Sequence, residues 1–77
     1  MTDETHIRKI FAEAFGIPEE EIRDEIAYNS FQPWDSLKHL QLVSMYEEAF
    51  DIELEMDDII DMSSYKKVRE ILLKYLS

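Results

Sequence analysis

A chain of 77 residues with eighteen acidic and eight basic side chains, a formal charge of −10 and no cysteine is bounded before any pattern is read. Its length allows one domain over residues 1–77 and leaves little room for the deep cleft of an autonomous enzyme. Its negative field repels nucleic acid and anionic membrane surfaces while attracting proteins with basic patches.

The missing cysteine excludes disulfides, thiolate metal sites and an acyl group carried on a thiol of the chain itself. The start, MTDETHIRKIF, is charged, and no later apolar run approaches membrane-spanning length, which predicts a cytoplasmic protein without membrane insertion. Apolar residues make up 45% of the chain, enough for a compact fold despite the charge. One glycine and two prolines punctuate it rarely, which favours a few helices over many strands and turns.

Along the chain, Ile7, Ile10, Phe11, Ala14 and Phe15 recur at the spacing of one buried helical face. Thr2 or Asp3 is placed to cap that helix, Gly16 to end it in a left-handed turn, and Pro18 to stop its continuation. The stretch PEEEI reads as a turn anchored only by Ile22. From Arg23 to Trp34 the pattern is irregular, with Asn29, Ser30 and Pro33, and makes a long connection. Ile26, Tyr28, Phe31 and Trp34 are expected to pack along it as it crosses the bundle.

A second helix is predicted from Asp35 or Ser36 to about Phe50, with Leu42, Val43, Tyr46, Ala49 and Phe50 on its core arc. Leu37, Leu40, Ser44, Glu47, Glu48 and Asp51 lie on the other side, and Ser36 borders that outer face. The alternation in DIELE mimics a strand but has no strand-like partner, so a short helix over Met56 to Asp61 is predicted instead. In SSYKKVREILLKYL a serine caps a last helix whose inner face holds Tyr65, Val68, Ile71, Leu72, Tyr75 and Leu76. The fold class is all-α, a small bundle of three long helices and one short helix.

Asp35, Ser36 and His39 invite a hydrolase reading, but an aspartate adjacent to the serine does not reach the far side of the histidine, and no oxyanion loop is present. No catalytic residue is assigned. His39 falls on the core side of the second helix, where it is expected to pack and hydrogen-bond to the long loop, and His6 carries no functional assignment. The acids from Asp51 to Asp61 imitate a calcium loop, but Met56 stands where the glycine is needed and Met62 where the bidentate glutamate is needed. No metal site is assigned. Ser36 stands out: Asp35 is already a good cap, so a hydroxyl one residue further in is free at the positive end of a helix, a favourable place for a phosphate.

The stretch D-S-L at 35 to 37, with L-x-L-V at 40 to 43 and E-E-A-F at 47 to 50, resembles the acyl carrier proteins and the related peptidyl carrier domains, over nearly the whole chain. The resemblance implies that Ser36, flanked by Asp35 and Leu37, is the attachment point of 4′-phosphopantetheine, delivered from coenzyme A by a magnesium-dependent phosphopantetheinyl transferase. The arm would end in a thiol that carries an acyl group as a thioester, and the protein would catalyse nothing. Its other partners would be an acyl-loading ligase or acyltransferase and downstream biosynthetic enzymes with basic patches, met by a monomer through small, fast interfaces.

The docking surface is then expected on Leu37, Leu40, Ser44, Glu47, Glu48 and Asp51, extended by Asp57, Asp58 and Asp61. Tyr46, Phe50, Ile59 and Met62 are expected to border a small acyl pocket, the bulk of Tyr46 and Ile59 leaving limited room for a long chain. Fatty-acid-type carriers commonly have an acid just after D-S-L and another at the position of Gln41, and a small residue before the aspartate; here Lys38, Gln41 and Trp34 stand there. W-D-S-L-x-H looks more like discrete carriers of specialised pathways, such as polyketide, lipid or surface-sugar modification systems. The alternatives are an aminoacyl or peptidyl carrier, and a small acidic adaptor with no prosthetic group.

Overall fold

The computed structural model describes residues 3–28 and 30–76, and among these it has four α-helices and no strand. They are α1 (Asp3–Phe15), α2 (Ser36–Phe50), α3 (Met56–Asp61) and α4 (Tyr65–Leu76), with one turn of 3-10 helix at Glu19–Glu21. Element order and helix ends follow the sequence pattern. Asp3 is the first helical residue of α1, while Thr2, the other expected cap, and Asn29 in the long loop lie outside the described residues.

All five residues of the predicted apolar face of α1 are buried, together with Ala12. Phe11 stands at the centre, its ring 4.7 Å from Phe15, 5.5 Å from Trp34 and 5.0 Å from Tyr65. Gly16 ends the helix at φ 65, a left-handed conformation that costs a side-chain-bearing residue about 1–2 kcal/mol. At the other end of the chain, the Ser64 hydroxyl accepts from the Lys67 N–H and starts α4. Tyr65, Val68, Ile71 and Leu72 of α4 are buried; Tyr75 and Leu76 are half-buried.

The long connection is pinned at both ends and in the middle. Ile22 and Trp34 are buried, and Ile26 and Phe31 half-buried. The Tyr28 N–H donates to the Ser63 carbonyl at 2.8 Å and the Tyr65 N–H to the Ile26 carbonyl at 2.8 Å, an isolated antiparallel bridge around Ala27 and Ser64. Arg8 donates to the Ile22 carbonyl, and Arg69 grips both oxygens of Asp24, holding that carboxyl below its ordinary value through the hydrogen bond, which with the guanidinium charge outweighs the opposing effect of burial. Tyr28 packs along the loop only in part: its ring meets Trp34 edge-on at 6.3 Å and His39 at 6.0 Å, yet it is 41% exposed and borders a surface groove.

On α2, Leu42, Val43 and Tyr46 are buried and Phe50 half-buried as predicted, but Ala49 is exposed. Its methyl is too short to fill the shallow surface between α1 and α2 near His6, Ile10 and Met45. The Tyr46 hydroxyl donates to the Ile7 carbonyl at 2.9 Å, fixing α2 to α1, and burial pushes that phenol well above its ordinary value. The DIELE stretch forms no strand: Asp51 turns left-handed at the end of α2, Leu54 is buried, and its N–H donates to the Glu47 carboxylate.

Candidate functional site

The site is built by the start of α2. Asp35 has extended backbone angles, and its Oδ1 accepts from the Lys38 N–H at 2.8 Å, so the cap is supplied by the aspartate. Ser36, the first helical residue, is exposed and takes no part in that cap. Its hydroxyl therefore stands at the positive end of a fifteen-residue helix, beside amides with no partner within the helix.

Two neighbours on the same turn are engaged elsewhere. The Lys38 ammonium crosses to α1 and donates to the Ala14 carbonyl at 3.0 Å, where a cation favours the negative end of that helix. His39 meets the long loop as expected: the Trp34 indole N–H donates to its Nδ1 at 3.0 Å. An Nδ1 that accepts leaves the proton on Nε2, and Nε2 donates to the Ile59 carbonyl of α3 at 2.7 Å. Sequence spacing carried no signal for this second bond, which joins residues twenty positions apart.

Between α2 and the α3–α4 connection lies an open groove of about 400 Å³, lined by Tyr28, Ser36, His39, Leu40, Ile60, Met62 and Ser63. It begins at Ser36. Of the four residues expected to form an acyl pocket, Met62 lines it. Ile59 is half-buried and reaches His39 through its carbonyl. Tyr46 and Phe50 lie elsewhere: Tyr46 is turned to Ile7, and Phe50 stacks on Tyr46 and meets the ring of His6 edge-on, both on the α1 side. The apolar space thus sits at the first turn of α2, with Tyr46 ten residues, about 15 Å, further along the axis.

The expected docking residues divide in the same way. Leu37 and Leu40 are 66% and 62% exposed, and Ser44, Glu48, Asp51, Asp57 and Asp61 are exposed. Glu47 is half-buried and accepts from the Leu54 N–H, bracing the turn after α2. Asp58 is half-buried and accepts from the Tyr75 hydroxyl, with Lys74 at 3.5 Å. That hydrogen bond, aided by the lysine charge and opposed by burial, holds the Asp58 carboxyl below its ordinary value, and the same bond raises Tyr75. These two acids stabilise the fold locally. Met56 and Ile60 of α3, not expected from sequence as part of an apolar surface, are each 69% exposed, and Ile60 lines the groove.

No helix among the described residues is long and apolar enough to cross a membrane. Residues 5–72 match the family described as the phosphopantetheine attachment site. The chain is 30% identical over 73 residues to the acyl carrier protein of Buchnera aphidicola subsp. Baizongia pistaciae (strain Bp), covering 95% of this chain and 94% of that one. Its fold is similar to the solution structure of the holo acyl carrier protein from Geobacter metallireducens, with a TM-score of 0.82, 21% identity, and coverage of 99% of this chain and 87% of that chain. The local geometry fits the prosthetic group: an exposed hydroxyl outside the cap, free amides for a phosphodiester, and an adjoining groove with apolar walls and the Tyr28 and Ser63 hydroxyls. The chain belongs to the acyl carrier protein family, phosphopantetheine-bearing carriers that present acyl groups to enzymes and do not themselves catalyse.

Proposed function

We propose that Ser36 is the attachment residue and that the protein serves a dedicated pathway rather than general fatty-acid synthesis. The observation that carries the assignment is the exposed Ser36 hydroxyl, left free by the Asp35 cap at the head of α2 and at the end of the groove. On a transferase, the Ser36 Oγ attacks the pyrophosphate phosphorus of coenzyme A nearest the pantetheine. The new bond is Ser36 Oγ–P, the bond broken is the pyrophosphate P–O, adenosine 3′,5′-bisphosphate leaves, and the hydroxyl proton passes to a base of the transferase. The arm supplies the thiol that the chain lacks.

The chain's own residues hold the phosphodiester at the N-terminus of α2 and offer the arm an apolar surface. Those walls favour an uncharged acyl cargo over an aminoacyl one, whose ammonium would lose hydration without a partner there. Partners approach an apolar patch of Leu37, Leu40, Met56 and Ile60, with Glu48, Asp51, Asp57 and Asp61 steering their basic surfaces. Support for a specialised pathway comes from the head of α2, where Lys38 and Gln41 stand in place of acids and Lys38 is tied to α1.

The test is intact mass after incubation with coenzyme A, magnesium and a broad-specificity transferase. The parent is expected to gain one phosphopantetheinyl group and Ser36→Ala none, with the stability of the variant within about 0.5 kcal/mol of the parent, as for an exposed residue outside a cap. A folded, previously unmodified parent that gains nothing would overturn the assignment. Loading assays with acyl-activating and aminoacyl-activating ligases then decide the cargo class.

A further inference from the structure

α3 has six residues and none is buried. A helix of that length has no stability of its own, so its place depends on what grips it. Toward α4 the grip is Asp58 with Tyr75 and Lys74. Toward α2 it is His39, whose Nε2–H meets the Ile59 carbonyl. That carbonyl sits in the last turn of α3, where its one backbone donor is the Met62 N–H at a long 3.4 Å, so that a second donor from outside is favoured. The Trp34 indole N–H fixes the tautomer that makes the ring a donor toward α3. His39 and Leu40 form one wall of the groove at Ser36, while Ile60, Met62 and Ser63 at the end of α3 form the other. One hydrogen bond thus ties the two walls together.

We propose that His39 is a positioning residue for the cargo: by clamping the end of α3 to the first turn of α2, it sets the width of the groove and so the length of acyl chain the protein shelters. This rests on the reading of Ser36 as the attachment site. The clamp needs Nε2 as donor, whereas Trp34 needs an acceptor at Nδ1. Two variants separate these: His39→Gln keeps a donor near the Nε2 position, and His39→Asn keeps an acceptor near Nδ1 but falls short of Ile59.

The first experiment uses the unmodified protein and reads amide hydrogen exchange at Ile59 and Met62, whose N–H groups donate to the Glu55 and Ile59 carbonyls and close the first and last turns of α3. His39→Asn is expected to speed exchange there by about fivefold, the effect of one lost hydrogen bond, with α1 unchanged. His39→Gln is expected to restore the parent rate. If the two variants protect α3 equally, His39 acts through packing and the clamp is overturned. The second experiment loads the phosphopantetheinylated parent and variants with saturated acyl chains of increasing length and reads the shift in melting temperature. The parent and His39→Gln are expected to gain most from short chains, and His39→Asn to move its maximum to longer ones. A released α3 with an unchanged length profile overturns the role in cargo selection. A parent that accepts no phosphopantetheine defeats the Ser36 assignment instead, and leaves the exchange result to judge the clamp alone.

Discussion

The helices α1 and α3 both begin with acidic residues, Asp3 and Glu4 in one and Asp57 and Asp58 in the other, yet they are held in place by opposite means. α1 spans thirteen residues, buries six of them and places Phe11 against three aromatic rings. α3 spans six, buries none and is held by side-chain hydrogen bonds at its two flanks. Charge follows the same division: residues 35–61 hold nine of the eighteen acids but only one of the eight basic residues, Lys38. Apolar burial is spread over many contacts and changes little when one polar group is altered, whereas α3, anchored in the core only by half-buried Ile59 and by Met62 at its end, leans more on its few polar ties and shifts more readily when one is lost. The part of the molecule that faces cargo and partners is thus the part whose position a few residues control.

The contrast is broken most directly by truncating one apolar side chain in each helix. Phe11→Ala should cost about 3–5 kcal/mol, because it opens a cavity at the centre of the core. Ile60→Ala should stay within about 0.5 kcal/mol, since the side chain is largely exposed. Chemical denaturation of both variants measures the two values. The division into a core helix and a presenting helix fails if the Ile60 variant loses stability on the scale of the Phe11 variant.

The part of the fold that depends on local signals was legible in the residues. Apolar spacing marked the inner face of α1, Asp35 and Ser64 marked two helix starts, and Gly16 with Pro18 marked an end. The attachment serine was legible for the same reason, because the Asp35 cap is written next to it. What escaped were side chains whose partners lie far along the chain. Glu47 and Asp58 look like surface acids in the sequence, but one meets the Leu54 amide and the other Tyr75. The expectation that Tyr46, Phe50, Ile59 and Met62 border an acyl pocket rests on the resemblance, which implies a cavity between the second and third helices, and on the core side that periodicity gives to Tyr46 and Phe50. Periodicity gives the side of a helix, however, and says nothing about which neighbour stands there.

Helix ends offer a second, smaller test of the comparison. Gly16 after α1 and Asp51 after α2 both have positive φ, 65 and 54. Space beside Gly16 is open to an added Cβ, so Gly16→Ala should cost only the backbone strain, about 1 kcal/mol. Asp51→Gly should gain about 0.5–1 kcal/mol by relieving the same strain. If Asp51 also steers partners, that variant will be more stable and yet slower to associate with a basic partner enzyme at low salt, which stopped-flow binding would reveal. A variant that gains stability without losing association rate would remove Asp51 from the docking surface.

The smallest effect is expected at the tie between α3 and α4, and it should depend on pH. The Tyr75 hydroxyl lowers the Asp58 carboxyl from its ordinary value of 3.8, and burial only partly opposes it. A depressed carboxyl stabilises the fold fully above that ordinary value and loses its contribution as pH falls through the folded value. Tyr75 is raised from 10.0 by the same bond, so its own contribution is complete below that value and is lost as pH rises through the folded one. The melting temperature of Tyr75→Phe should therefore lie a constant small interval below that of the parent between about pH 5 and about pH 9, and the interval should narrow toward about pH 3, to the part left by losing the bond from the Glu55 N–H to the Tyr75 hydroxyl. Phe11→Ala should show no such dependence, since no titrating group replaces or contacts the lost ring contacts other than Tyr65, itself pushed up by burial beyond the range scanned. An interval that persists unchanged in acid would mean that the Tyr75 hydroxyl does not act through Asp58, leaving His39 as the polar tie that positions α3.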